Sequence, residues 1–262
     1  MKTIVLCADD YAQSPAVSSG IRSLVRTGRI SAVSCFADAP QWPDEARRLA
    51  AAVAGGGVSV GLHLNLTHPF RPGRRPLATW IGASLTRQLD VARWVEDFRR
   101  QWDAFVREFG RLPDFIDGHQ HVHVFPLIRQ AVFQLIRGVA AEGSPAVRSL
   151  FPLLPGQARG VKTRTLGLLS LGFDPRAEGL RTNPDFGGIH AFKSGVRMED
   201  LFAAWLASAS DGSLIMCHPG RRCNDPADPI AAIRWRELEF LTSRGFASLL
   251  AAHDLRLGHI AR

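Results

Sequence analysis

Short apolar segments alternate with amphipathic helical stretches along most of this chain. Residues 3–8, "TIVLCA", form an apolar run with β-branched members that fits a strand buried on both faces. Residues 15–27 follow with apolar side chains at helical spacing, and Gly28 ends that pattern. Strands separated by helices usually lie parallel, because each helix returns the chain to the same end of the sheet. The alternation therefore predicts an α/β fold with mostly parallel strands, in an open sheet or a barrel.

The alternation continues along the chain. Residues 152–195 are rich in Gly and Pro with weak periodicity, which predicts loops and short helices over one end of the sheet. No repeat or domain linker interrupts the pattern, and residues 68–79 are short enough to be a loop excursion, so we expect a single domain over residues 1–262. Further strands are predicted at 30–37, 58–66, 114–118 and 213–218, and further helices near 43–54, 90–109, 126–142, 198–208 and 230–243.

Composition narrows the class of protein. The chain is 46% hydrophobic and 21% charged, which is typical of globular proteins, and it has no apolar run of about 18 residues that could span a membrane. The net charge of +8 would permit nucleic-acid binding, but the arginines are dispersed, so no nucleic-acid partner is expected. The first residues reach two carboxylates after a short apolar run, which is unlike a secretory signal and predicts a cytoplasmic protein. The four cysteines lack metal or disulfide spacing, and we expect reduced thiols.

Acidic and histidine side chains fall where the predicted strands end. Asp9 and Asp10 close the first strand, His63 lies late in the third, His119 follows residues 114–118, and His218 ends residues 213–218. In parallel α/β sheets the active site lies beyond the carboxyl ends of the strands, where the loops converge. The sequence therefore predicts that four strands deliver these side chains to one rim.

Adjacent carboxylates such as Asp9 and Asp10 repel each other unless one binds a metal, which leaves the other free to act as a base. The alternative is that one of them caps the following helix. His63 lies in the alternating stretch "GLHLNL", where a hydrogen-bonded core histidine is the alternative to a metal ligand. Other acidic and histidine residues are predicted at the same rim, which favours the interpretation of His63 as a metal ligand.

Three histidines occupy every second position of "IDGHQHVH", residues 116–123. If the strand continued through this segment, His119, His121 and His123 would all point one way, as in the His-x-His metal pairs of hydrolase barrels. If the strand ends at Gly118, the segment is a tight loop and only one or two of the histidines face the site. Asp117 could then orient an imidazole from behind. A hydrophilic loop that happens to be rich in histidine is the remaining alternative.

His218 and Arg148 can each be interpreted in two ways. His218 precedes Pro219 and Gly220 at a strand end, where it could donate a proton to a leaving group or serve as a structural turn histidine. Arg148, in "AVRSL", could hold an acid or a substrate oxygen, or it could be an ordinary surface arginine. We predict His218 as a catalytic residue and Arg148 as a residue that supports the site or binds substrate.

Four blocks of sequence resemble one family in their order and spacing, namely the YdjC-like carbohydrate deacetylases, which include chitooligosaccharide deacetylase and hopanoid-biosynthesis-associated proteins. The resemblance implies a distorted (β/α) TIM-like barrel that binds one divalent ion and removes an N-acetyl group from an amino sugar or acetylated oligosaccharide. The blocks are "ADDYAQSPAVSSGI" at 8–21, "GLHLNLT" at 61–67, "IDGHQHVH" at 116–123 and "MCHPG" at 216–220.

The resemblance also implies roles for individual residues. Asp10, His63 and His119 match the metal ligands of the family, and Asp9 matches its catalytic base. The family usually has Gly after the aromatic residue of the first block and Asn near position 18, whereas this chain has Ala12 and Ser18. Mg²⁺ is the favoured ion by resemblance, and two imidazole ligands leave Zn²⁺ or another transition metal as the alternative. A homodimer is expected by analogy with the family.

The predicted function is hydrolysis of a small acetylated sugar by water that the metal and Asp9 activate, with a backbone N–H or Arg148 helping to hold the oxyanion. His218, or one of His121 and His123, would protonate the departing amine. One alternative is another barrel metallohydrolase, a phosphoesterase or an amidohydrolase, although an amidohydrolase would carry a His-x-His pair on its first strand. The other alternative is a non-catalytic protein that binds a sugar or a lipid precursor.

Overall fold

The computed structural model describes residues 1–87, 89–157, 160–192, 195–226 and 228–260. Its strands are β1 (Lys2–Tyr11), β2 (Ala32–Cys35), β3 (Ser59–Leu64), β4 (Phe115–Gly118), β5 (Ala146–Val147), β6 (Phe186–Gly187), β7 (Ser213–Cys217) and β8 (Leu255–Leu257). Its helices are α1 (Pro15–Arg26), α2 (Trp42–Val53), α3 (Leu77–Leu85), α4 (Val91–Phe109), α5 (Ile128–Gly138), α6 (Val161–Leu169), α7 (Met198–Ala207), α8 (Ala231–Thr242) and α9 (Arg244–Ala252).

Every strand pair in the sheet is parallel, in the order β5-β4-β3-β2-β1-β7-β6, and β8 pairs with the first residues of β1. The sheet curls, because the chain just beyond β5 reaches β6 at the opposite edge. Leu153 forms a parallel bridge with Phe186, whose N–H donates to the carbonyl of Pro152 at 3.0 Å. The predicted α/β fold, a distorted barrel of parallel strands, is confirmed.

The helices cover the outer face of the sheet with their apolar sides. In α1 the hydroxyl of Ser14 accepts a hydrogen bond from the N–H of Val17, which caps the helix where the sequence pattern begins. Asp90 caps α4 in the same way, and Gly110 ends that helix in a left-handed conformation that favours glycine. These helices and the buried strands enclose one continuous apolar core.

Long elements agree with the sequence prediction, and short ones differ from it. The strand predicted at 30–37 is limited to β2, and the helix predicted at 126–142 is limited to α5. The elements α3, α9, β5, β6 and β8 lie outside the predicted pattern. The three strands have only two or three residues each, which is too short to show periodicity. Region 152–195 contains the expected short helix, α6, and also β6. Residues 158, 159, 193 and 194 of that region lie outside the described residues.

Among the helices of the described residues, none combines the length and the apolar character that a bilayer crossing requires.

Candidate active site

A bulge near the end of β1 places two adjacent carboxylates in different surroundings. Ala8 pairs with Val33 and Tyr11 pairs with Cys35, so Asp9 and Asp10 together lie opposite one residue of β2. Within this bulge Asp10 has a left-handed backbone with φ of 68°. The sequence predicted that the two carboxylates end the strand, whereas the strand continues through them to Tyr11.

Asp10, His63 and His119 form a cluster at the carboxyl ends of β1, β3 and β4. One potential ligand atom from each lies within 4.8 Å of the others. The Oδ1 atom of Asp10 is 3.0 Å from Nδ1 of His119 and 3.4 Å from Nε2 of His63. Burial alone would raise the pKa of Asp10, but Arg234 and His119 hold it well below its usual range. Asp10 is therefore ionised and able to attract a cation.

The imidazole of His63 is fixed from behind by two polar side chains. Its Nδ1 atom lies 2.6 Å from Oδ1 of Asp117 and 3.0 Å from the hydroxyl of Ser34, which also donates to Asp117 at 2.5 Å. Burial opposes protonation of His63, but Asp117 and Asp10 raise its pKa to about 10. Because Nδ1 is engaged by Asp117, Nε2 is the atom that faces the cluster, as in metal sites where a carboxylate orients a histidine.

Arg148 lies behind the cluster, in contact with two buried carboxylates. Its guanidinium donates to both oxygens of Asp9, at 2.6 and 2.7 Å, and its Nη2 lies 2.5 Å from Oδ2 of Asp117. The same Nη2 lies 3.1 Å from Sγ of Cys7. Cys7, Asp9 and Asp117 have the spacing of metal ligands, but the guanidinium already supplies the positive charge among them. The side chain of Arg148 is fully buried, which leaves no surface for contact with a substrate oxygen.

The histidine-rich segment follows the second of its two predicted courses. Strand β4 ends at Gly118, and His119–Val124 form a 3₁₀ segment in which Gln120 and His121 have positive φ. His119 joins the cluster, and His121 lies beside the same cavity. His123 turns away from it, with its Nε2 atom 3.0 Å from the carbonyl oxygen of Arg148 and its ring against Phe173.

The cluster opens into a cavity of about 360 Å³. His218 lines the cavity, and its backbone N–H donates to the carboxylate of Glu237. The same carboxylate contacts Nε2 of His190 at 3.0 Å. Burial lowers the pKa of His218, although nearby Asp10 and Glu237 oppose the shift. Among the described residues, none forms a hydrogen bond with Nδ1 of His218. The cavity is lined by Asp9, Asp10, Gln13, His63, Thr67, His68, Pro69, His119, Gln120, His121, Phe192, Met216, His218, Asp228, Pro229, Ile230 and Arg234.

Several residues of the site are absent from the sequence prediction. Arg234 of α8 contacts Asp10 and Asp228, and Ser34 of β2 contacts His63. His68 stacks on Phe70 at 4.0 Å, and burial lowers its pKa to about 4. Nothing in the local sequence distinguishes these side chains from ordinary polar residues, since the contacts of Arg234 with Asp10 and of Ser34 with His63 join distant parts of the chain. The motif blocks alone gave a signal. His68 directly follows the block at 61–67, whereas Ser34 and Arg234 lie outside all four blocks.

The residues of the cluster fit a divalent cation. Two imidazole nitrogens and one carboxylate oxygen are the donor types of three-residue catalytic metal sites, which keep further positions open for water and substrate. The donors converge from β1, from β3 and from the 3₁₀ segment after β4, and the imidazole of His63 has the carboxylate support that such ligands usually have. The cluster is therefore a candidate site for one metal ion.

The fold and the site together define an α/β barrel protein with a candidate metal centre at the carboxyl ends of its strands. The sequence profile of the YdjC-like protein family matches residues 3–252. The chain belongs to the YdjC-like family, as the sequence motifs predicted.

Two relatives carry the name chitooligosaccharide deacetylase. The protein from Escherichia fergusonii is 27% identical to this chain, and the alignment covers 98% of this chain and 97% of the relative. The protein from Citrobacter koseri is also 27% identical, with the same coverage. The likeness is spread over the whole length of both proteins.

Solved structures share the fold. A protein from Enterococcus faecalis, provisionally named for cellobiose-phosphate cleavage, has a TM-score of 0.71 at 18% identity, and the match covers 99% of this chain and 97% of the other. The peptidoglycan N-acetylglucosamine deacetylase Bc1960 has a TM-score of 0.51 at 13% identity, over 98% of this chain and 86% of the other. At these identities the likeness concerns the fold.

Proposed function

We propose that this protein is a metal-dependent hydrolase that removes an N-acetyl group from an amino sugar or acetylated oligosaccharide. The observation that carries the proposal is that two carboxylates line one cavity. Asp10 lies with His63 and His119, and Asp9 lies beside them, hydrogen-bonded to Arg148. Membership of the YdjC-like family and the names of its two relatives support the acetylated sugar as substrate.

One divalent ion would be held by Asp10, His63 and His119. When bound, the ion would polarise the acetyl carbonyl group and acidify the attacking water. Resemblance to the family favours Mg²⁺, which suits a carboxylate with several waters, whereas two imidazole donors make Zn²⁺ or another transition metal the alternative.

Asp9 would act as the general base. Arg148 fixes both oxygens of its carboxylate, and the thiol of Cys7 also donates to Oδ1 at 3.5 Å. Oδ2 keeps a second lone pair that could accept a proton from water. The water oxygen would attack the acetyl carbon while its proton moves to Asp9. Since Arg148 is buried, its part would be to orient Asp9, and a backbone N–H would help to hold the oxyanion.

His218 would donate the proton that the amine nitrogen needs when the C–N bond breaks, giving acetate and a free amine. It lines the cavity, and Glu237 fixes its backbone. Because burial lowers its pKa, only a minority of the imidazole is protonated at neutral pH, and this protonated form would donate the proton. His121, which also lies beside the cavity, is the alternative donor, whereas His123 faces Arg148 and Phe173.

The test is acetate release from a panel of N-acetylated sugars by metal-stripped protein, before and after addition of Mg²⁺, Zn²⁺ or Co²⁺. We expect acetate only with an added ion. Release of phosphate from phosphorylated sugars, without acetate, would identify a phosphoesterase instead. Sugar binding that persists without metal, and no turnover with any sugar, would favour a binding protein.

Two substitutions separate the roles of the adjacent carboxylates. We expect Asp9→Asn to bind the ion with the affinity of the unaltered protein and to lose turnover, and Asp10→Ala to lose the ion. Arg148 still faces Asp117 in the first variant, so its charge keeps a partner. Intact acetate release by Asp9→Asn would refute its assignment as the base.

We further propose that the enzyme acts in the cytoplasm as a homodimer. All four cysteines are free thiols, and a reducing compartment keeps thiols in that state. The dimer rests on analogy with the family and on the frequency of closed symmetric pairs. Sedimentation equilibrium tests the assembly, and cell fractionation tests the compartment.

A further inference from the structure

Arg234, a buried residue of helix α8, lies behind the candidate metal cluster. The Nη2 atom of Arg234 donates to Oδ2 of Asp10 at 2.9 Å and to Oε1 of Gln13 at 2.9 Å. Its Nε atom donates to Oδ2 of Asp228 at 2.5 Å. Arg234 thus contacts the oxygen of Asp10 that faces away from His63 and His119.

We propose that Arg234 is a positioning residue, which holds Asp10 so that its Oδ1 atom faces His63 and His119, and which thereby sets the affinity of the cluster for a divalent ion. The inference rests on the proposed function, because it assumes that this cluster binds the ion.

The need for such a residue follows from the chemistry of aspartate. The terminal torsion of an aspartate side chain has broad energy minima, so an isolated carboxylate is free to rotate. A cation binds more tightly to donors that already point at one place, because less freedom is lost on binding. The guanidinium of Arg234 removes that freedom by fixing Oδ2, and the second oxygen is left facing the two imidazoles.

Arg234 can orient Asp10 without cancelling its charge for the ion. Asp228 forms an ion pair with the same guanidinium as Asp10 does. The negative charge of Asp228 therefore balances that of Arg234, and the charge of Asp10 is left to attract the ion. The helix is itself fixed against the chain that follows His218, because the carbonyl of Arg234 accepts a hydrogen bond from the N–H of Gly220 at 3.0 Å. The position of the guanidinium is therefore defined from both ends.

The experiment measures Co²⁺ and Zn²⁺ binding to metal-stripped protein by titration calorimetry, with the visible spectrum of bound Co²⁺ as a second readout. Arg234→Lys keeps the positive charge and loses the planar fork, so it isolates orientation from electrostatic attraction. Arg74→Lys is the matched control, because Arg74 is also buried between two carboxylates, Asp38 and Asp97, and does not line the cavity.

We expect Arg234→Lys to weaken ion binding by about 10- to 100-fold, the usual loss when a partner of a metal ligand is altered. The control should bind within about twofold of the unaltered protein, since the change is remote from the ligands. We also expect an altered Co²⁺ spectrum in Arg234→Lys alone, because a displaced carboxylate changes the ligand geometry.

A second variant keeps the inference testable if Arg234→Lys does not fold. Asp228→Asn leaves Arg234 in place but weakens the contact that anchors it, so a smaller loss of ion affinity is expected. Ion affinity equal to that of the control in whichever of these variants folds would overturn the inference. If the unaltered protein binds no divalent ion, the metal site of the proposed function fails as well. Equal binding by all folded variants, in contrast, would refute only the role of Arg234.

Discussion

At the scale of single residues, His218 lines the cavity but lies outside the Asp10, His63 and His119 cluster. We expect His218→Gln to lower kcat by about 10²- to 10⁴-fold, the usual contribution of a proton donor. Ion affinity should stay unchanged, because His218 makes no contact with Asp10, His63 or His119 among the described interactions. Steady-state kinetics and ion titration of the same preparation check both expectations.

The pH profile provides the control for His218. Burial lowers its pKa from the ordinary value of 6.5, so the protonated form is lost as pH rises through a value below that. If the protonated form does the work, kcat/KM of the unaltered protein falls along this limb, and the limb disappears in His218→Gln. The same limb in both proteins would assign the proton donor to another group, with His121 as the next candidate.

Ala12, in the first motif block, has a backbone conformation that favours glycine. Its φ is 71°, in the left-handed region, and its N–H donates to the hydroxyl of Ser18 at 3.1 Å. These are the two positions at which the chain departs from the usual family pattern. Glycine enters the left-handed region without strain, whereas alanine loses about 1 kcal/mol there.

We therefore expect Ala12→Gly to raise the free energy of unfolding by about 1 kcal/mol, as measured by urea denaturation. Ala51→Gly, on an exposed position of α2, makes the same chemical change in a helix and should lower it by about 1 kcal/mol. Equal losses in both variants would mean that the backbone at position 12 is not strained.

The site residues that could be predicted from the sequence are those next to the end of a strand that the sequence pattern itself predicts. Asp10, His63 and His119 follow apolar runs, so their common location could be anticipated. Arg234 could not, because it lies in an unremarkable helical segment and meets Asp10 from 224 positions away. Contacts of that kind depend on how helices pack, which a single sequence does not encode locally.

At the scale of elements, helix α1 packs directly against the loop that follows β7 and His218. A Cβ atom on Gly20 would lie 2.9 Å from Cα of Gly220 and 3.0 Å from N of Arg221. The N–H of Arg221 also donates to the carbonyl of Ala16 at 3.0 Å, so the loop is held against the helix. Both obstacles are backbone atoms, which cannot move aside as a side chain would.

We expect Gly20→Ala to destabilise the fold by about 1–3 kcal/mol, the range for overpacking. Turnover should fall further than ion affinity, because the displaced loop carries His218 and no metal ligand. The control is Gly82→Ala in α3, where a Cβ would meet nothing within 4 Å and where alanine should add up to about 1 kcal/mol of stability. Denaturation, ion titration and acetate release on both variants provide the comparison, and equal stability of the two would contradict the close packing of α1.

The strength of the periodic signal decided which elements could be predicted. Helix α4 has 19 residues with an apolar stripe, and its predicted range, 90–109, nearly coincides with the observed one. Strands β5 and β6 have two residues each, and they owe their existence to the sheet beside them rather than to their own sequence. The 3₁₀ segment of His119–Val124 could be anticipated only as one of two courses, since the choice depends on Gln120 and His121 adopting positive φ.

At the scale of the whole molecule, closure of the curled sheet brings distant parts of the chain to one centre. Asp10 comes from the first strand, His119 from the segment after β4, and Arg234 from α8 near the carboxyl end. Because one continuous core lies beneath these elements, we expect the chain to unfold as a single domain. Coincident denaturation curves from tryptophan fluorescence and circular dichroism check that expectation, and separate midpoints would contradict it.

The same arrangement couples ion binding to global stability. The ligands come from β1, from β3 and from the 3₁₀ segment after β4, which are far apart in sequence, so the unfolded chain cannot present them together. An ion that binds only the folded form therefore stabilises it. At an ion concentration about one hundred times Kd, the free energy of unfolding should rise by about 2.7 kcal/mol. Thermal denaturation of metal-stripped protein over a series of ion concentrations measures this gain. Asp10→Ala should show no rise, and an equal rise in that variant would place the ion elsewhere on the molecule.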